Sequence, residues 1–190
     1  MTARRHDAGM TLVELTVASA LALAAVAALT ALFLVVLRAR GRAGEAAETV
    51  VSLAGTIDQI ARDVRLAGYD PSARGLAGIV TPTAQSVVLR ADLDGSGDID
   101  TSSEEQITYR LNAAGDTLQR LVGQQNLPML SDVAAAGFRL HYFDAQAAEL
   151  DPTVAGAGDR VHLVTVELAL RATQAHGALR MTGGARLLNR

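Results

Sequence analysis

Acidic and hydroxyl side chains crowd one short stretch, ADLDGSGDIDTSSEEQ, residues 91–106. Asp92, Asp94 and Ser96 fall at alternate positions, Gly97 comes sixth, Ile99 eighth and Asp100 ninth, counting from Asp92. Calcium takes six to eight hard oxygens, and alternating carboxylates wrapped around a sharp glycine turn supply them. On that spacing the expected ligands are Asp92, Asp94, Ser96, Asp98 (through its backbone carbonyl) and Asp100. The twelfth position, where a bidentate glutamate belongs, is Ser103, and Glu104 comes one residue late as the expected closing ligand. A solvated acidic hairpin loop that binds nothing tightly is the competing reading. Asp92, Asp94, Asp98, Asp100, Glu104 and Glu105 repel one another unless a cation such as Ca2+ compensates them.

Glu14 is the second chemically unusual group, because it opens an apolar run. A carboxylate deep in hydrocarbon costs a few kcal/mol, so it sits at the interface, reaching to headgroups, or it has a partner. The histidines point to no chemistry. His141 and His162 alternate against the apolar side of their strands, His176 falls in a turn, and no pair has metal-ligand spacing. No serine has a nucleophile-elbow setting and no glycine loop suits phosphates. Nothing here predicts an enzyme.

The 190 residues leave room for one domain of ordinary size beside the N-terminal segment. Aromatics are only 3% of the chain, so Ala, Val and Leu must build the core. All the basic residues are arginine, they are dispersed, and the net charge is −3, so nucleic-acid binding is not expected. Without cysteine there is no disulfide, thiolate site or cysteine nucleophile.

From Leu15 to Leu37 no residue carries a formal charge. At about 1.5 Å per residue such a helix is roughly 34 Å long, enough to cross a bilayer core of about 30 Å. A cleaved secretory signal is shorter and ends in small residues, whereas Arg38, Arg40 and Arg42 follow here. A membrane anchor fits better. Arginines on both flanks give a weak orientation signal.

Gly9, then Met10-Thr11-Leu12-Val13-Glu14, then the unbroken apolar helix, resembles the signal of type IV pilins and pseudopilins. The resemblance implies that a prepilin peptidase removes residues 1–9 after Gly9 and that Met10 becomes the N-methylated amino terminus. The family usually has Phe where Met10 stands. Glu14 of one subunit would then face the Met10 amine of a neighbour, a pair that compensates two charges in a low-dielectric bundle and sets axial register.

Ala46, Val50, Leu53, Ile57, Ile60, Val64 and Ala67 continue as a helical stripe, with Glu45, Glu48, Ser52, Asp58, Gln59, Arg62, Asp63 and Arg65 on the other positions. Gly68 suits a C-terminal cap and Pro71 prevents continuation. Gly41, Gly44 and Gly55 each cost about 1 kcal/mol against Ala, which favours a kink between residues 38 and 55. The run ARDVRLAGYDP, residues 61–71, resembles the helix end of PilW-like minor pilins, and less closely that of J-type pseudopilins of type II secretion.

Period-two alternation then predicts strands at 86–91, 106–111 and 117–122, with NAAGDT as a hairpin turning at Gly115. Phe138, Leu140 and Tyr142 mark another strand, residues 160–172 the longest, and 178–188 the last. The expectation is an α+β, type IV pilin-like fold, a long helix packed on an antiparallel β-sheet. Its parts are a leader (1–9), a transmembrane assembly helix (10–37), an amphipathic continuation (38–68) and a periplasmic β-rich domain (69–190). The implied partners are prepilin peptidase, other pilin subunits and the inner membrane. The function to be expected is a minor subunit of a type IV pilus. Alternatives are a type II secretion pseudopilin or a membrane-anchored calcium-binding domain that never polymerises.

Overall fold

A computed structural model describes residues 11–174 and 176–189. Gly9 and Met10 therefore lie outside the described residues. One helix, α1 (Leu12–Leu66), precedes all the strands. The chain divides into two compact units, Met1–Gly44 and Glu45–Arg190.

In the first unit the helix is rich in Ala and Leu, strong helix formers. Its large apolar side chains from Leu12 to Leu37 are exposed, Val36 the least so at 41%. By length and apolar character α1 can cross a membrane. Gly41, Gly44 and Gly55 all lie within the span of α1. A Cβ added at any of them would meet nothing, so no close approach requires glycine there.

The second unit is α+β. Strands β1 (Ile79–Val80), β2 (Ser86–Arg90), β3 (Gln106–Leu111), β4 (Leu118–Val122) and β5 (Gln125–Leu130) form one antiparallel sheet in sequence order. Strands β6 (Val133–Phe143), β7 (Glu149–Leu150), β8 (Leu163–Leu170) and β9 (Leu179–Arg186) form another, ordered β7-β6-β8-β9. The single sheet expected from the sequence is thus two. The break falls at Asp132, which has φ 57, and Val133 N–H donates to Asp116 O at 2.9 Å instead of continuing the first sheet. Leu140 N–H donates to Ala84 O at 2.9 Å and the Tyr142 hydroxyl to Thr83 O at 2.9 Å, fastening the sheets together.

Residues 45–66 of α1 pack against both sheets. Leu53, Ile57, Ile60, Val64 and Ala67 are buried as their spacing requires, while Val50 is 41% exposed. Thr56 and Asp63 widen the buried stripe; Asp63, expected on the polar side, is only 6% exposed. At β9 the helix comes so close that a Cβ on Gly183 would overlap the Ile57 side chain. On the other sheet Asp63 accepts from the Tyr109 hydroxyl (2.7 Å) and from Arg120 Nε (3.0 Å), with Gln59 Nε2 on its second oxygen (3.0 Å). These bonds explain the burial, since a charge is tolerated inside only when paired and hydrogen-bonded.

The helix ends where expected. Gly68 has φ 80, the left-handed conformation that suits glycine after a last turn. Its N–H bonds outward to Arg90 O at 2.8 Å. The terminal carbonyls of Arg65 and Leu66 accept from Asn189 Nδ2 at 3.2 and 3.3 Å, a cap from the far end of the chain.

Candidate metal site and helix N-terminus

The acidic loop joins β2 to β3. Ladder pairing runs past Arg90↔Gln106, because Ala91 N–H donates to Glu105 O at 3.0 Å. That extra step puts Glu105 across from the start of the loop. Its carboxylate then organises the interior: Oε1 accepts from Leu93 and Asp94 N–H (2.9 and 3.2 Å) and Oε2 from Asp100 N–H (2.8 Å). Asp92, 1% exposed, does the same for the glycine turn, accepting from Gly95 N–H at 2.8 Å and Gly97 N–H at 2.9 Å. Gly95 and Gly97 take φ 76 and 80, angles that let the backbone wrap back over the Asp92 carboxylate.

Carboxylate oxygens of Asp92, Asp94 and Glu105 all lie within 4.8 Å of one another, close enough to hold a metal ion. Asp92 and Glu105 are buried and Asp94 is exposed. The donor set is oxygen only, without sulfur or imidazole, which suits a hard divalent cation. Asp92 Oδ1 and Glu105 Oε2 each accept a single backbone bond, which leaves each a lone pair for an ion.

The other residues of the sequence-based ligand set stand elsewhere. Ser96 Oγ donates to the Asp98 carbonyl at 3.1 Å, tying both into the turn. The Asp98 carboxylate, 90% exposed, faces Arg74 at 3.6 Å. Asp100 accepts from the Ser102 hydroxyl at 2.6 Å and its N–H at 2.8 Å. Glu104, the expected closing ligand, points to Arg120 Nη1 at 3.8 Å and lies outside the cluster, where Glu105 takes the place. The readable signal for Glu105 was register, since β2 and β3 paired through Ala91 bring residue 105 next to Asp92. Loop spacing alone gives no such cue.

Two aspartates of the loop are pulled below the usual carboxylate range. Asp94 is lowered chiefly by the Ser96 N–H, with the Ser96 hydroxyl adding to it. Asp100 is lowered chiefly by the Ser102 hydroxyl, then by its N–H. Both loop carboxylates are thus ionised over a wide pH range, and of the two Asp94 belongs to the cluster.

The loop is also stitched to the end of α1. Asp92 N–H donates to Tyr69 O at 2.8 Å, and Ser72 Oγ to Asp92 Oδ2 at 3.3 Å. Asp70 accepts from Gly75 and Leu76 N–H at 2.7 and 3.1 Å, which folds the segment after the helix beneath the loop. The Ala-Gly-Tyr-Asp run thus ends the helix and seats the first loop aspartate.

At the other end of α1, Thr11 and Glu14 form a reciprocal cap. Glu14 N–H donates to Thr11 Oγ1 at 3.2 Å, and Thr11 N–H to Glu14 Oε2 at 3.2 Å. Thr-x-x-Glu before an apolar helix satisfies two otherwise orphaned donors, and an acid in the first turn also complements the helix dipole. This local role for Glu14 is written in the sequence and was masked by the apolar run behind it. No protein-family model and no curated protein matches the chain.

Proposed function

We propose that the chain is a pilin-like subunit, cut after Gly9 by a prepilin peptidase, anchored by α1 in the inner membrane with residues 69–190 in the periplasm, and joined to other subunits through that helix as a minor pilin. The observation that carries the reading is Gly9-Met10 followed by Glu14 at the head of a helix whose charge-free side chains are exposed through Leu37. A helix bare of partners and uncharged over that length requires lipid or other helices around it. A J-type pseudopilin of type II secretion is the same chemistry in another machine.

The acidic loop adds a calcium site, with Asp92, Asp94 and Glu105 as the charged ligands and loop carbonyls completing the shell. Its seat on the helix end gives calcium a structural role, ordering the junction between α1 and the first sheet.

The Thr11–Glu14 cap favours a second reading, a membrane-anchored calcium-binding domain that never polymerises. There Glu14 serves its own helix and needs no neighbour.

Intact mass and N-terminal sequence of the chain, expressed with and without a prepilin peptidase, test the proposal. A peptidase-dependent product that begins at N-methylated Met10 is the expected result. Retention of residues 1–9 sinks the pilin reading and leaves the anchored domain, whereas a cut beyond Leu37 sinks it and leaves an exported soluble domain.

A further inference from the structure

Arg120 stands between two carboxylates that belong to different parts of the second unit. It rises from β4, is 9% exposed, and donates through Nε to Asp63 of α1 at 3.0 Å. Its Nη1 lies 3.8 Å from Glu104 of the acidic loop. Tyr109, also on Asp63, makes no claim on Glu104. Burial works against the charge on this guanidinium, and the bond to Asp63 together with that carboxylate's charge outweighs it.

A cavity of about 50 Å³ adjoins the group, lined among others by Asp63, Leu66, Leu93, Glu104, Glu105 and Arg120. Interiors are ordinarily close-packed, so empty space beside a charged side chain gives it freedom that packing usually denies. The walls of the space are the helix on one side and the loop on the other.

We infer that Arg120 is a shared cation for which α1 and the acidic loop compete, so that the charge carried by the loop sets how tightly the C-terminal turns of the helix are clamped to the sheet. The negative charge of Glu104 draws the guanidinium toward the loop and weakens its hold on Asp63. Removing that charge by substitution leaves the guanidinium to Asp63 alone and tightens the helix. The coupling is therefore opposite in sign to that of an ordinary brace, in which removing a contact loosens everything it touched. It does not depend on whether Glu14 docks a neighbour.

Amide hydrogen exchange of the full chain in detergent micelles, read on peptides covering residues 56–66, tests the sign. Glu104 is exposed and does not bond the helix, so Glu104→Gln and Glu104→Arg preserve the fold. Slower exchange in that helix segment is expected, by roughly 1.5- to fivefold for Glu104→Gln, the range of an exposed ion pair. Glu104→Arg should slow it further, while exchange in β8 stays unchanged. The response should vanish in an Arg120→Gln background; if that variant does not fold, the two Glu104 substitutions still decide. Unchanged or faster exchange across residues 56–66 overturns the inference.

Discussion

Glu14 has two possible partners, and substitution at Thr11 separates them. If the carboxylate only caps its own helix, Thr11→Ala and Glu14→Ala remove halves of one device. Each should then cost about 1 kcal/mol of local helix stability, with equal effects on any assembly. If Glu14 also faces the Met10 amine of a neighbour, Thr11→Ala leaves subunit incorporation near normal and Glu14→Ala abolishes it. Recovery of each variant in sheared surface or pseudopilus fractions, against its level in the membrane, reads the difference. Asp63 is the residue whose role the sequence hid. It fell outside the apolar stripe, yet its carboxylate meets Tyr109, Arg120 and Gln59 in the core. Asp63→Ala leaves a buried guanidinium without its nearest acceptor, and a loss of about 3–5 kcal/mol is expected in urea unfolding. Replacing Asp63, Arg120 and Tyr109 together with apolar residues should recover most of it, because removing a buried pair whole strands no charge.

Among the elements, the acidic loop makes a prediction with a sign. Asp94 and Asp100, and Asp70 beneath them, have carboxyls lowered from the usual 3.8 by hydrogen bonds made in the folded state. Their contribution to stability is complete above that value, where the unfolded chain is also ionised, and it disappears as pH falls through the lowered values. Chemical unfolding should therefore show a stability plateau above about pH 5 and a decline below it, less steep in the Asp94→Asn, Asp100→Asn double variant. A decline of equal slope in both would remove the loop from the account. Elements with clean alternation were legible: β2, β3, β4, β8 and β9 fall within or close to the segments expected, and the helix ends near Gly68. β1 and β7 are two residues each, too short to show a period. β5 carries Pro128 and is mostly exposed, so it has no apolar face to read. The start of β6 was lost to an irregularity between Val133 and Phe138, where Ala136 has φ 55 and the ladder with β8 shifts register. The metal cluster was legible as chemistry but not as a ligand set, since pairing across β2 and β3, rather than spacing along the loop, selects Glu105 over Glu104.

At the scale of the whole molecule, the two units make different demands of their surroundings. Residues 45–190 hold a core of their own, to which α1 contributes Leu53, Ile57, Ile60 and Val64. Burying an aliphatic side chain is worth about 1.5–3 kcal/mol, so these together supply roughly 6–12 kcal/mol, as much as a typical domain's entire stability. The apolar side chains from Leu12 to Leu37 are exposed and add nothing to that core. A chain beginning at Glu45 should therefore be soluble, monomeric and cooperatively folded, with β-sheet dispersion in its NMR spectrum. A chain beginning at Ala67, which keeps every strand but none of α1, should be unfolded or aggregated, because Tyr109, Arg120 and Gly183 lose the surface they were built to meet. The full chain should sediment with membranes and require detergent for extraction. If instead the chain beginning at Ala67 folds, α1 is an appendage rather than part of the domain.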